Sequence, residues 1–492
     1  MSSSLNVLFA VAEASPLIKV GGLGDVAGSL PHALRQLGHN VRIIMPRYSL
    51  INLEGYETHW WGSFNMPFMG GGEDIGISEV LLKDGTPIYL VENERCFGRP
   101  AVYGEADDLE RFLLFSLAVM EVPKRLGWHP DILHCHDWHT GMVPALLKAA
   151  RGNDPFYSSC ASVYTVHNLG YQGWFDDWFA GRANLYDYLP PASNPLRDKA
   201  YSMTAVGIYN SDIISTVSET YAREILTPEY GMGIETLLES RRDSLFGILN
   251  GIDYEEFDPA ADHIIAANYD AHHLESRITN KLVLQEKAGL PVNAETPLLG
   301  FAARLVDQKG IDIIAGTLDS LFGGADAQFV LQGTGEPRYE ESLRSLQERY
   351  PDKARMFLVL DFSLARLIFA GCDIYLSPSR FEPCGLSHLI AMHYGAIPVV
   401  RRTGGLVETV LDCPSDLSAG LGFVFESYSQ NDLIAALRRA LAAFQRKEEW
   451  HKLMRRVMRT DFSWKSSISK YASLYEMAQH KVIGDGTRGI TA

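Results

Sequence analysis

The chain lacks most of the features that assign a protein to a class at a glance. None of its apolar runs approaches the roughly 20 residues that cross a bilayer. The first residues, MSSSLNVLFAVAEASPL, carry no basic segment, and Glu13 breaks their apolar stretch. We therefore read neither signal peptide nor membrane span, and expect a cytoplasmic protein. Cysteine is scarce: six residues, at 96, 135, 160, 372, 384 and 413, with no C-x-x-C pair, suit a reducing compartment better than a disulfide scaffold. Basic residues are outnumbered, 44 against 60 acidic, for a formal charge of −16. That argues against a nucleic-acid partner but leaves room for a local basic pocket. There is no G-x-x-x-x-G-K-[ST] loop and no G-x-S-x-G elbow, which excludes a P-loop NTPase and an α/β-hydrolase.

What is present is a repeated alternation of short apolar runs with helical patterns. Leu5–Ala12, Val41–Met45, Ile88–Val91, Ile132–Cys135, Ser162–Val166 and Ile213–Val217 read as strands buried on both faces of a parallel sheet. Helical stretches lie between them, including one from GGLGDVAGSLPHALRQLG that stops at Gly38. Asp253–Ala294 is charged and reads as a helical connector. The alternation then restarts at Leu298–Ala302 and continues through Gln328–Leu331, Met356–Leu360, Asp373–Leu376, Ile397–Val400 and Gly422–Phe425. Helices over Asp432–Gln445 and Trp464–His480 end the pattern, with GDGTRGITA as a frayed tail. This spells an α/β protein of two Rossmann-like, doubly wound parallel-sheet domains facing a deep cleft. The expected boundaries are 1–252, 253–460, and a tail of 461–492 whose helix packs back on the first domain.

In such sheets ligands meet the loops at the carboxyl ends of strands. Lys19, Gly21 and Gly22 open the first helix, where backbone N–H groups and a lysine suit a phosphate better than a plain tight turn does. A nicotinamide reading of Gly22-x-Gly24-x-x-Ala27 is weak, because the second strand ends in Pro46-Arg47 and not in an acid. An NADP reading through Arg47 survives only faintly. Asp137 in HCHDWH and His167 in VHN follow neighbouring strands, so both could face one crevice. His134, His136 and His139 also invite a metal reading, which we rank lower. Arg304 and Lys309, five apart after a strand, suit a diphosphate. Gly333 follows another strand, and Thr403-Gly404-Gly405 another. In SPSRFEPCGL, Glu382 either caps a helix or faces a ligand, with Cys384 and Gly385 at the helix start.

The motifs KVGGLGDV, HCHDWH, VYTVHNLGYQG, TVSETYAREI, ILNGID, RLVDQKG, GTGEP, SRFEPCGL and RRTGGL, in this order, resemble those of bacterial glycogen synthases and plant starch synthases. The resemblance covers nearly the whole chain. It implies the two-domain GT-B glycosyltransferase fold, no metal and no cofactor. The implied reaction is transfer of glucose from a nucleotide sugar, usually ADP-glucose, to the non-reducing 4-hydroxyl of an α-1,4-glucan such as glycogen, with retention. Carried onto this chain, Lys19, Gly21 and Gly22 would meet donor phosphates, and Arg304 and Lys309 the leaving diphosphate. Glu382 would hold sugar hydroxyls, with Cys384, Gly385, Gly333, Thr403, Gly404 and Gly405 around the donor. Asp137 and His167 would line the glucose, and Asn250 the cleft floor. Front-face attack, with the leaving phosphate taking the acceptor proton, would replace a carboxylate nucleophile.

The chain departs from that family's pattern in three places. Ser202–Gly207 stands where a Phe-Leu-Lys stretch is usual, His388 where glutamine is usual, and Leu360-Asp361-Phe362 where Tyr/Phe-x-Glu is usual. These departures bear on acceptor handling and on the donor base. They keep three alternatives in view: a UDP-glucose or small-acceptor transferase, a catalytically weak glucan-binding homologue, and the three-histidine metal hydrolase. Trp60, Trp61, Trp174 and Trp178 are expected to pack in the core.

Overall fold

The computed structural model describes residues 4–488. The chain divides into two compact units, Met1–Gly251 together with Trp464–Ala492, and Ile252–Ser463.

The first unit is built on a nine-stranded sheet. Its strands are β1 (Asn6–Ala10), β2 (Asn40–Pro46), β3 (Thr58–Phe68), β4 (Gly71–Leu81), β5 (Pro87–Glu92), β6 (Ile132–His136), β7 (Ala161–Val166), β8 (Ile213–Thr216) and β9 (Leu245–Gly247). They lie in the order β3-β4-β5-β2-β1-β6-β7-β8-β9. Every residue of β6 and β7 is buried, as expected when helices cover both faces. The sheet is not wholly parallel. The β3–β4 hairpin pairs antiparallel with itself and with β5 at one edge. No strand is expected from the sequence between Val41–Met45 and Ile88–Val91, and the outer half of β3 faces solvent on both sides. The anticipated core tryptophans are exposed: Trp60 and Trp61 on β3, and Trp174 and Trp178 after β7.

The second unit has six parallel strands, β10 (Leu298–Ala302), β11 (Gln328–Gln332), β12 (Ala354–Phe357), β13 (Ile374–Ser377), β14 (Ile397–Arg401) and β15 (Phe423–Phe425). Their order, β12-β11-β10-β13-β14-β15, reverses direction between β10 and β13. The first unit reverses in the same way between β1 and β6. Each reversal leaves a crevice at the carboxyl ends of two neighbouring strands, where the two chains depart to opposite faces.

Three helical expectations need correction. Within the supposed connector only Arg277–Ala288 is helical. The preceding stretch is a series of turns in which Asp253, Asp258, Asp262 and Asp270 accept backbone N–H groups two residues on. Aspartate favours such turns over helix interiors. A helix over Lys447–Arg459 went unrecognised. The last helix runs from Ile468 to Arg488, so the first part of the supposed frayed tail is helical, and 489–492 lie outside the described residues.

That last helix and the turn Trp464–Ser466 leading into it are fastened into the first unit by polar contacts in its core. The Trp464 indole N–H donates to Ser29 Oγ at 2.8 Å. The Tyr475 hydroxyl lies 2.8 Å from His134 Nδ1, and His134 Nε2 lies 2.7 Å from Thr165 Oγ1. Both nitrogens of His134 are thus engaged, and burial holds its pKa far below the usual value. Replacing Tyr475 by Phe leaves His134 Nδ1 without a partner and is expected to lower stability by about 1–3 kcal/mol. The readout is the urea unfolding midpoint, and an unchanged midpoint would contradict this role.

Candidate functional site

In the second unit four loops converge at the carboxyl ends of β10, β11, β13 and β14. The loop after β10 is laced to the one after β11, with Leu305 N–H donating to Thr334 O at 2.9 Å and Glu336 N–H to Leu305 O at 2.8 Å. The loop after β13 is held to both neighbours: Arg380 N–H donates to Gln308 O at 2.8 Å, and Gly405 N–H to Glu382 O at 3.0 Å. At their centre Lys309 Nζ lies 2.6 Å from Glu382 Oε2. The same oxygen accepts from Ser379 Oγ at 2.8 Å. Glu382 is 4 % exposed, so its carboxylate needs these partners, while Lys309 keeps part of its surface open. Arg304 stands exposed one residue beyond Ala303 on the same loop.

Backbone geometry makes this closeness possible. Gly404 has φ +47, and a Cβ there would stand 1.9 Å from Glu382 O. A Cβ on Gly333 would stand 2.0 Å from Ala303 O. Thr403 is fully buried between these loops. Gly385 is the N-cap of the helix Leu386–His393, with buried Cys384 just before it, and Gly310 precedes the helix Ile311–Phe322. Two helix N-termini thus join two cations at one strand edge, an arrangement suited to phosphate oxygens. Glu382 does not cap its helix with its side chain, so the capping alternative falls. His388 is buried with Nε2 2.7 Å from Thr409 Oγ1, whose hydroxyl donates to Gly405 O at 2.8 Å. Burial, with Lys309 adding to it, pushes His388 down to about 3, so a neutral imidazole braces the Gly405 loop.

The first unit gathers carboxylates and histidines at its own crevice. Asp137, just after β6, has φ +54, uncommon for a residue with a side chain. Its Oδ1 accepts the His167 N–H at 2.7 Å and the Asn168 N–H at 3.4 Å. Burial raises its pKa to about 7 against those hydrogen bonds, with nearby Glu13 raising it further. His167 Nε2 lies 2.9 Å from His136 Nδ1, and burial holds His167 down to about 3. Glu13 went unrecognised as a site residue. Its carboxylate accepts from Val20 N–H, from Gly21 N–H at 3.1 Å and from the Tyr103 hydroxyl at 3.0 Å. Burial raises its pKa despite these bonds. The one signal in the sequence was an acid interrupting an otherwise apolar strand end.

Lys19 is paired with Asp25 at 2.5 Å, and Gly21 gives its N–H to Glu13, while Gly22 starts the helix Gly22–Gln36. Asn250 is buried, and its Oδ1 has no hydrogen-bond partner among the described residues. Arg47 donates to Tyr48 O and Ile51 O, which removes the NADP reading. His134 has no free nitrogen for a metal, and among the described residues no group of three His, Cys, Asp or Glu is arranged to hold one. The three-histidine hydrolase is thereby set aside. Ser202 caps the buried helix Met203–Asn210, its Oγ accepting the Ala205 N–H at 3.1 Å, so this departure is accommodated by apolar packing.

The two α/β units, each with its own topological switch point, are those of a glycosyltransferase of the GT-B fold. Residues 6–240 match the family model described as starch synthase catalytic domain, and 284–456 match glycosyl transferases group 1. The chain belongs to the glycogen synthase and starch synthase family. It is 44% identical over 485 residues to a glycogen synthase of Moorella thermoacetica, covering 98% of each chain. It is 42% identical over 487 residues to one of Thermotoga maritima, covering 97% of this chain and all of that one. Among solved structures it is similar to the catalytic domain of starch synthase IV from Arabidopsis thaliana bound to ADP and acarbose. That likeness has TM-score 0.90 and 33% identity, over 97% of this chain and 100% of that one. Sucrose-phosphate synthase from Thermosynechococcus elongatus shares the fold, with TM-score 0.59 and 18% identity over 96% of this chain and 98% of that one. Among the described residues, no helix is long and apolar enough to cross a membrane.

The raised pKa of Asp137 has a definite sign. The folded state binds its proton more tightly than the unfolded state does, so stability falls as pH rises from about 4 to about 7. An Asp137→Asn variant escapes that loss. It is expected to gain stability relative to the parent across this window, read as the difference in unfolding midpoint at several pH values. A difference that does not change with pH would contradict the shift.

Proposed function

We propose that the chain transfers glucose from ADP-glucose to the non-reducing 4-hydroxyl of an α-1,4-glucan, as in glycogen synthesis, with retention at the anomeric carbon. The observation that carries this reading is the Lys309–Glu382 pair with Arg304 at the β10/β13 switch point. It stands in a chain whose relatives are glycogen synthases, beside a starch synthase solved with ADP. The bond that breaks joins the glucose C1 to a phosphate oxygen, and negative charge grows on that oxygen as it leaves. Arg304 and Lys309 stabilise it there more than in the intact donor, which is where a fixed cation lowers the barrier. Glu382 orients Lys309 and accepts from sugar hydroxyls with its remaining lone pairs. Asp137, His167 and Asn250 receive the glucose: a neutral imidazole can accept or donate toward a hydroxyl, and so can a carboxyl whose pKa burial raises to about 7. Lys19 reaches a phosphate by turning from Asp25.

The acceptor oxygen attacks on the face the phosphate vacates, and its proton passes to the departing phosphate. No protein nucleophile is required, and no metal or cofactor takes part. The work is done in the cytoplasm, with neither nucleic acid nor membrane as partner. A UDP-glucose donor is the second reading, kept in view by Leu360-Asp361-Phe362 standing where the family has Tyr/Phe-x-Glu.

Radiolabelled glucose incorporation into glycogen, with ADP-glucose and UDP-glucose side by side and with or without EDTA, tests this. EDTA-insensitive incorporation favouring ADP-glucose is expected, and preference for UDP-glucose would move the donor assignment. Lys309→Ala is expected to lower kcat by about 100- to 1,000-fold in a folded protein. Glu382→Ala is expected to be comparably impaired, and full activity in either variant would remove the assignment.

A further inference from the structure

The helix Lys447–Arg459 is two-faced. Trp450, Leu453, Met454, Val457 and Met458 are buried, and the opposite side presents Lys452, Arg455, Arg456 and Arg459. With Thr460 these four cations line a shallow surface depression of about 360 Å³ that lies largely open to solvent. A helix C-terminus attracts cations through its dipole, and part of the cluster is accounted for in that way. Arg456 holds the 417–420 loop, donating to Gly420 O at 2.7 Å, Ala419 O at 3.0 Å and Leu417 O at 3.1 Å. Lys452 pairs with Glu448 one turn earlier at 2.6 Å.

Arg455 and Arg459 are not accounted for by these contacts. Neither meets a carboxylate among the described residues, in a chain with 60 acidic residues to 44 basic ones. Arg459 Nη2 instead lies 3.3 Å from His272 Nδ1. Of the acids nearby, Asp461 accepts the Ser463 N–H at 2.8 Å, Asp270 the His272 and His273 N–H groups at 2.7 and 2.8 Å, and Glu275 lies near His451 of the arginines' own helix without an ion pair to either arginine. The depression is also remote from the loops that hold Lys309. Met458 packs at Gly395, which precedes β14, and Arg456 grips the loop that precedes β15, so the cluster lies at the amino-terminal edge of the sheet. The donor loops are at the carboxyl edge.

We propose that this depression is a second anion site, for a small molecule bearing phosphate groups, separate from the transfer site. Two guanidinium forks without an acid match phosphate oxygens bidentately. A phosphorylated sugar and free pyrophosphate share that chemistry, and the experiment separates them.

The full chain is titrated calorimetrically with fructose 1,6-bisphosphate and with pyrophosphate at about 150 mM salt, where loose surface association is screened. The same titrations are run on Arg455→Gln/Arg459→Gln and on Lys309→Ala. A binding component that weakens at least tenfold in the arginine variant and persists in Lys309→Ala is expected, and the tighter of the two probes identifies the source. Unchanged transfer activity and circular dichroism in the arginine variant verify that it is folded. Absence of binding in the parent, or binding that follows Lys309 and ignores the arginines, would overturn the proposal. If the arginine variant does not fold, Arg455→Lys/Arg459→Lys replaces it. That pair keeps the charge but loses the fork, and equal affinity in it would also count against the bidentate site.

Discussion

A single ion pair, Lys309 to Glu382, orders the loops at the carboxyl edge of the second unit's sheet. A carboxylate as deeply buried as Glu382 is unfavourable unless its charge is met, and here one lysine and one serine hydroxyl meet it. To meet it, the loops after β10 and β13 must approach within hydrogen-bonding distance, and the β14 loop must close over Glu382 O. That approach is open only to residues without a Cβ, which is why Gly404 sits against a carbonyl with no room for alanine. The switch between β10 and β13 provides the place, the glycines the proximity, and the buried carboxylate fixes where the cation points.

The first unit has a topological crevice of its own, between β1 and β6, lined with different chemistry. Its buried carboxylates, Glu13 and Asp137, are held mainly by backbone N–H groups, and burial keeps both pKa values high. Its histidines are pushed toward neutrality. Such a surface carries little fixed charge and many directional donors and acceptors, as hydroxyl-rich sugars demand. The second unit concentrates cations and helix N-termini, as phosphate demands. The difference between the two crevices follows from which side chains are buried with which partners.

Much of this was legible in the sequence, for identifiable reasons. Parallel strands buried on both faces are continuous apolar runs, so β1, β6, β7, β10 and β11 were readable, and the glycine loops that follow strands marked the ligand edge. The β3–β4 hairpin was not, because an edge strand open to water has no buried stripe to betray it. The turns of 253–276 looked helical because charge composition does not distinguish a solvated helix from aspartate-led turns. Glu13 was visible only as an interruption, since its role depends on Tyr103 and on the loop at Val20, neither adjacent to it in sequence. His388 and Ser202 looked like defects against a family pattern. In three dimensions one braces the Gly405 loop and the other caps a buried helix.

The central claim is that Lys309 and Glu382 act as one device on the departing phosphate. A double-mutant cycle on kcat for Lys309→Ala, Glu382→Gln and the combined variant tests it most directly. Residues that act as a unit are strongly non-additive, so the combined variant is expected to be about as slow as the worse single one. Losses that simply multiply would mean that the two side chains act independently, and would contradict the account.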